Sequence, residues 1–169
     1  FRRVLFRSII GYAVFPKRVY FSALEETFRI PLLGAFIRAL GAFPIPDNNP
    51  FPHVIGPIEK ALDSLFVHFF PEGKLHKKNQ RIKRFKNGVF FLAILLDVPV
   101  IPLTTILLPR RIAGHPVSWL PPRVKVAIDK PVYPKSFLKD DNNPRKAALE
   151  MARHTRAIMQ KDIDAHHTA

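Results

Sequence analysis

Apolar positions along the chain alternate between short strand-like runs and helical stripes. Val19-Tyr20-Phe21-Ser22-Ala23 is β-branched and aromatic and predicts a strand. Phe28–Leu40 carries apolar residues at helical spacing, with Pro31 near its start, where a missing N–H costs little, and Gly41 at its end. Ala42–Ile45 predicts a short strand, and Asp47-Asn48-Asn49-Pro50 a turn. Ile55–Leu65 predicts a helix with Ile58, Leu62 and Leu65 on one side, followed by a buried apolar strand over Phe66–Phe70, interrupted only by His68. Pro71–Arg84 is expected to be a long basic loop. Asn87–Leu96 is expected to be a short buried helix, and Val98–Leu107 a strand whose two prolines suit an edge or an end. Arg110–Pro122 predicts a loop or reversal. Arg123–Asp129 alternates as a strand with Val124, Val126 and Ile128 on one face. Asn142 or Asn143 caps a last helix through about Ile163, with Pro144 in its first turn and Asp164–Ala169 expected to fray. Strands alternating with helices predict an α/β fold around a mainly parallel sheet flanked by helices.

Composition narrows the class. The chain has 169 residues, 47% of them hydrophobic, and a formal charge of +14. High charge here is joined to high apolar content, including 15 Phe, which excludes a disordered chain. Cysteine is absent, so disulfides, Cys-ligated metal and a thiol nucleophile are excluded. Basicity points to an anionic partner, either a nucleic acid or a membrane surface. No stacking-aromatic motif or zinc spacing supports a nucleic acid, so none is expected as a partner. The longest apolar stretch, Val89–Leu96, is stopped by Asp97 and Pro99, well short of the roughly 20 residues that span a bilayer.

Phe1–Ser8, reading Phe-Arg-Arg-Val-Leu-Phe-Arg-Ser, looks like the translation of a sequencing-library adapter and is set aside as a scar. Residues 9–169 are then expected to be part of a domain, with a core of about 19–131 and a C-terminal helix over about 143–163. Without Arg2, Arg3 and Arg7 the charge is +11.

The most informative segment is Phe69-Phe70-Pro71-Glu72-Gly73, where an apolar strand runs into a proline, an acid and a glycine. Ligands of open α/β sheets bind beyond the carboxyl ends of strands, and a glycine there lets backbone N–H groups approach an oxyanion. Lys74–Lys86 follows with seven Lys or Arg in thirteen positions. Taken alone it is either a phosphate-binding or bilayer-facing loop, or an ordinary turn followed by a solvated basic loop. His68 is expected to be a hydrogen-bonded core residue, and Phe28 and Phe36 core rather than bilayer-inserted. Glu25-Glu26 is expected to charge a helix N-terminus. His166-His167 has no partners in sequence, and no metal site is expected.

Four blocks in order carry a resemblance. They are Ala23–Gly34 with Gly41-Ala42-Phe43-Pro44-Ile45, then Phe-Pro-Glu-Gly, then Phe85-Lys86-Asn87-Gly88, then Val98-Pro99-Val100-Ile101-Pro102. Over roughly Val19 to Pro131 they resemble the phospholipid/glycerol acyltransferases, whose best-known members are 1-acyl-glycerol-3-phosphate acyltransferases. The resemblance implies a glycerolphosphate acyltransferase-like fold, incomplete at the N-terminus. It implies transfer of a fatty acyl group from acyl-CoA or acyl carrier protein to a lysophospholipid in phospholipid biosynthesis, with no cofactor. It further implies an anionic membrane surface as partner, on the cytoplasmic face of the cell membrane, reached peripherally or through an anchor upstream. Pro71, Glu72 and Gly73 match the acceptor-binding block, with Lys74 and Lys86 as further substrate-binding candidates. Pro31, Gly34, Pro99 and Pro102 match blocks that shape the fold and the acyl-chain wall.

The family's His-x-x-x-x-Asp block, general base and orienting acid, is not matched, since none of the seven His has an Asp five positions on. It would lie just before Ile9, so no catalytic residue is assigned and this chain alone is expected to be inactive. Members carry a Thr-Arg pair after Phe-Pro-Glu-Gly and often an Arg where Asp47 stands; here Lys74 and Leu75 occupy the former. Lys is a point charge where Arg is a bidentate fork, which opens the choice of acceptor head group. The alternative is a non-catalytic basic domain that binds a membrane or nucleic acid.

Overall fold

The computed structural model describes residues 19–45, 51–62, 66–72, 81–117, 119–138 and 143–167. The chain divides into two compact units, Phe1–Phe70 and Pro71–Ala169.

In the first unit, β1 (Val19–Leu24) lies between β2 (Ala42–Ile45) and β3 (Phe66–His68), and both pairings are parallel. This is the parallel α/β arrangement expected. Its core is Phe21, Phe28, Leu33, Ile37 and Ala42. The single helix expected over Phe28–Leu40 is instead two, α1 (Glu25–Phe28) and α2 (Leu33–Ala39). Pro31 is not at a helix start but in the turn between them. It lacks an N–H and drives the residue before it out of the helical region. Leu32 beside it has a positive φ, 62° with ψ −42°, and is 90% exposed. Gly41, with φ 86°, ends α2 as expected. Phe28 is core, but Phe36 is exposed. Glu25 opens α1 and pairs with Arg29 at 3.1 Å.

α3 spans Phe51–Leu62 with Ile58 buried; the expected Leu65 and the Asp47–Pro50 turn lie outside the described residues. The strand expected to be buried over Phe66–Phe70 is shorter, and Phe66 is exposed. Its cause is position, since β3 is an edge of the described sheet. His68 is half-buried, its ring 4.7 Å from that of Phe70.

In the second unit, α4 (Gly88–Leu95) forms as expected with Phe90, Leu92, Ala93 and Ile94 buried, and Asp97 just beyond its end has φ 48°. The Val98 N–H reaches back to Ala93 O at 3.1 Å, which satisfies a carbonyl that the helix end leaves open. β4 (Leu103–Leu108) pairs antiparallel with β7 (Arg123–Ile128). The strand expected from Val98 begins five residues later, because Pro99 and Pro102 offer no donors. Val100 between them makes an isolated two-way bridge with Val132, at 2.9 and 2.8 Å. The loop or reversal expected over Arg110–Pro122 includes a reversal, the hairpin of β5 (Arg110–Ile112) and β6 (His115–Val117). Antiparallel pairing therefore accompanies the parallel sheet.

The long helix α5 (Pro144–His167) begins where expected. Asn143 Oδ1 accepts from the N–H groups of Arg145 and Lys146, at 3.1 and 3.2 Å. It does not fray after Ile163 but continues through His167. Asp164 Oδ1 accepts from Gln160 Nε2 at 2.9 Å, and His166 joins the Asp162 carbonyl to the Lys125 ammonium. Helices α4 and α5 enclose a core of Phe90, Ile94, Ile106, Val132, Ala148 and Met151. Val124, Val126 and Ile128 share a face, as read, but the face toward this core is the other one, carrying Thr104, Ile106 and Ala127. Val124 and Ile128 are accordingly exposed.

Candidate functional site

The site is built where the apolar strand ends. β3 leads through Phe69 and Phe70 into a turn at Pro71 and Glu72. Fifteen residues after Pro71, the backbone N–H of Lys86 donates to Pro71 O at 2.7 Å. That bond brings the Pro-Glu block beside the Phe-Lys-Asn-Gly block. Glu72 is half-buried there and Lys86 is exposed. Gly73, Lys74 and Leu75 lie outside the described residues, as do Lys77 and Lys78 of the basic loop.

Two interactions fix the returning chain. Ile82 N–H donates to Gln160 Oε1 at 2.8 Å, and Arg156 Nε donates to Ile82 O at 3.1 Å. Ile82 and Phe85 are buried, and the Phe85 ring stacks on Phe90 at 5.8 Å. Lys83, Arg84 and Lys86 stay exposed around these anchors. Alternation of apolar Ile82 and Phe85 with cations thus holds a positive rim on a packed base, suited to concentrating an anion.

The other sequence candidates have separate positions. Gly34, in the first unit, is buried and its N–H donates to Ile30 O at 2.9 Å. A Cβ there would lie 2.2 Å from the Phe28 carbonyl oxygen, so Gly34 permits a close backbone approach. Pro31 is exposed in the preceding turn. Pro102 is fully buried and its carbonyl accepts from Asp129 N–H at 3.1 Å. Pro99 is exposed, so the two prolines do not form one surface.

Sequence reasoning missed a carboxyl pair. Thr104 Oγ1 donates to Asp162 Oδ2 at 3.1 Å, and Asp129 Oδ2 is buried with no hydrogen-bond partner. Burial first, then hydrogen bonding to and repulsion from Asp162, push Asp129 above the usual carboxylate range. Two Asp 33 residues apart give no sequence signal. No group of His, Asp and Glu among the described residues could hold a metal ion. No helix among them is long and apolar enough to cross a membrane.

A family model described as Acyltransferase matches residues 4–106, more than half of the chain. The chain belongs to the acyltransferase family. It is 24% identical over 148 residues to the 1-acyl-sn-glycerol-3-phosphate acyltransferase of Bacillus subtilis (strain 168), covering 87% of this chain and 71% of that one. Over 99 residues it is 31% identical to the enzyme of the same name from Streptococcus pneumoniae, covering 56% of this chain and 35% of that one. The crystal structure of the 1-acyl-sn-glycerophosphate (LPA) acyltransferase PlsC from Thermotoga maritima superposes with a TM-score of 0.59 at 19% identity, over 90% of this chain and 58% of that one. The fold is therefore that of an α/β acyltransferase. The matched residues include Pro71, Glu72 and Lys86, so the hydrogen-bonded turn lies within the acyltransferase domain.

Proposed function

We propose that the protein containing this chain transfers a fatty acyl group from acyl-CoA or acyl carrier protein to a lysophospholipid of the 1-acyl-sn-glycerol-3-phosphate type, in phospholipid biosynthesis. Its place of work is the anionic cytoplasmic face of the cell membrane. The observation that carries the reading is the Lys86 N–H bond to Pro71 O, which joins two acyltransferase blocks into one basic turn. The names of the B. subtilis and S. pneumoniae relatives supply the acceptor class.

In the reaction, the acceptor hydroxyl oxygen forms an ester bond to the acyl carbon. The thioester C–S bond breaks, and the thiol leaves with the proton. Glu72 and Lys86, with Gly73 and Lys74, hold the acceptor; holding it converts an encounter into a near-attack geometry. The general base would be the His of a His-x-x-x-x-Asp pair, which this sequence does not contain. The chain of 169 residues is accordingly inactive alone.

The test is transfer of labelled acyl from acyl-CoA to detergent-dispersed 1-acyl-glycerol-3-phosphate. It compares this chain with the product of the same reading frame extended upstream of Ile9. Transfer by the extended protein, sharply lowered by Glu72→Ala, is the expected result. An extended protein that carries the His and Asp and transfers nothing overturns the proposal.

A further inference from the structure

The β5–β6 hairpin lies outside the acceptor turn, and its surface is unusual. Arg110, Arg111 and Ile112 are all exposed, and so are His115 and Pro116. Ala113 and Gly114 join the strands with φ 49° and 82°, the two positive angles of a tight type I′ turn whose twist matches its strands. The hairpin is tied to the segment after it, because Arg110 Nε donates to Pro121 O at 3.1 Å. Between them Pro109, Arg110, Arg111, Ile112, Leu120 and Arg123 line an open depression of about 440 Å³. Trp119, the residue before Leu120, is 77% exposed, and Ile112 is 54% exposed.

Charge and apolar surface therefore coincide. No Asp or Glu occurs between Asp97 and Asp129, so nothing in that stretch repels an anionic surface. Among the described residues, no carboxylate pairs with Arg110, Arg111 or Arg123. An exposed Trp within one short segment of arginines that no carboxylate neutralises suits one solvent in particular. Indole prefers the level of lipid head groups, and guanidinium forks bind phosphate bidentately. A single-stranded nucleic acid is served by successive stacking aromatics, whereas the apolar lining of this depression is Ile112, Leu120 and Pro109, with no aromatic among its lining residues.

We infer that the β5–β6 hairpin and the following Trp119–Arg123 segment dock on an anionic lipid bilayer. Trp119 enters the head-group layer, and Arg110, Arg111 and Arg123 hold lipid phosphates. The inference rests on the proposed membrane location but concerns a surface that the acyl-transfer reading does not use.

Trp119 is the chain's single Trp, so its fluorescence reports this surface alone. The 169-residue chain is titrated with phosphatidylcholine vesicles with and without phosphatidylglycerol, and bound protein is measured by sedimentation. The expected result is a shift of Trp119 emission to shorter wavelength with the anionic vesicles only. Brominated lipid quenches it, and raised salt reverses it. Arg110→Gln, Arg111→Gln and Arg123→Gln each lower partitioning about five-fold. Trp119→Ala weakens sedimentation with its circular dichroism unchanged. Sedimentation with unshifted emission overturns the inference and leaves the membrane location standing. No sedimentation overturns both, while acyl transfer is still read independently with dispersed acceptor. A shift produced by RNA and not by vesicles also overturns it.

Discussion

Gly34→Ala gives a direct measure of how tightly the first unit is built. The added Cβ would stand 2.2 Å from Phe28 O and 2.9 Å from Phe28 C, where real Cβ contacts keep at least 3.0 Å. The obstacle is backbone, which cannot rotate aside as a side chain can. Phe28 is held in turn by core packing against Leu33, Ile37 and Ala42 and by the Arg38 guanidinium 5.3 Å above its ring. Relief therefore requires α1 and α2 to separate. Overpacking of this kind costs roughly 3 kcal/mol, the upper end of its usual range, and replacing a helical Gly by Ala returns about 1 kcal/mol. The net loss is about 2 kcal/mol, a fall in Tm of roughly 4–8 °C for a chain of this size. Gly56→Ala is the internal control. Gly56 also lies in a helix, but its Cβ would meet nothing within 4 Å. That variant should gain about 1 kcal/mol from propensity alone. Urea and thermal unfolding followed by circular dichroism compare the two. A Gly34→Ala protein as stable as the parent, or two variants shifted in the same direction, would refute the close approach.

Three further outcomes are expected. Asp129 has its proton held more tightly in the folded than in the unfolded chain, so this group's contribution to stability is present at acid pH and lost as pH rises past the ordinary carboxylate value. Asp129→Asn should raise urea stability at neutral pH, with the gain vanishing below that value; an equal change at all pH contradicts this. Asn143→Ala removes the acceptor for two helix N–H groups and should cost about 1 kcal/mol, read as a lower urea midpoint with unchanged slope. Ala113→Gly relieves a left-handed alanine in the hairpin turn and should stabilise by about 1 kcal/mol; a lower Tm would show that the turn is not under strain.

Elements governed by local chemistry were legible from the sequence. β1 and β2 followed from β-branched and aromatic runs, α4 from its apolar block, and the start of α5 from Asn143-Pro144. Failures came where distant contacts or missing donors decide. Pro31 interrupts a helical stripe whose apolar spacing continues across it, because periodicity records burial and not backbone donors. The β5–β6 hairpin has strands of three residues, one holding Pro116, and an Ala-Gly turn in place of the stronger Asn-Gly signal. The last turn of α5 persists through His166 and Lys125, 41 residues apart, which no local pattern reveals. The Pro-Glu and Phe-Lys-Asn-Gly blocks could be ordered along the sequence, but their meeting at Pro71 and Lys86 could not. The Asp129–Asp162 pair was invisible for the same reason.

The bond between Pro71 and Lys86 also separates the length of the basic stretch between them from the stability of what surrounds it. Its two ends are fixed to each other, and the Ile82 and Phe85 anchors secure the returning side on α5 and α4. Between two ends held this way, a flexible insertion costs loop-closure entropy, about 0.6 kcal/mol for each doubling of length. That freedom lets this region accept insertions and new charges with the second unit's core unaltered.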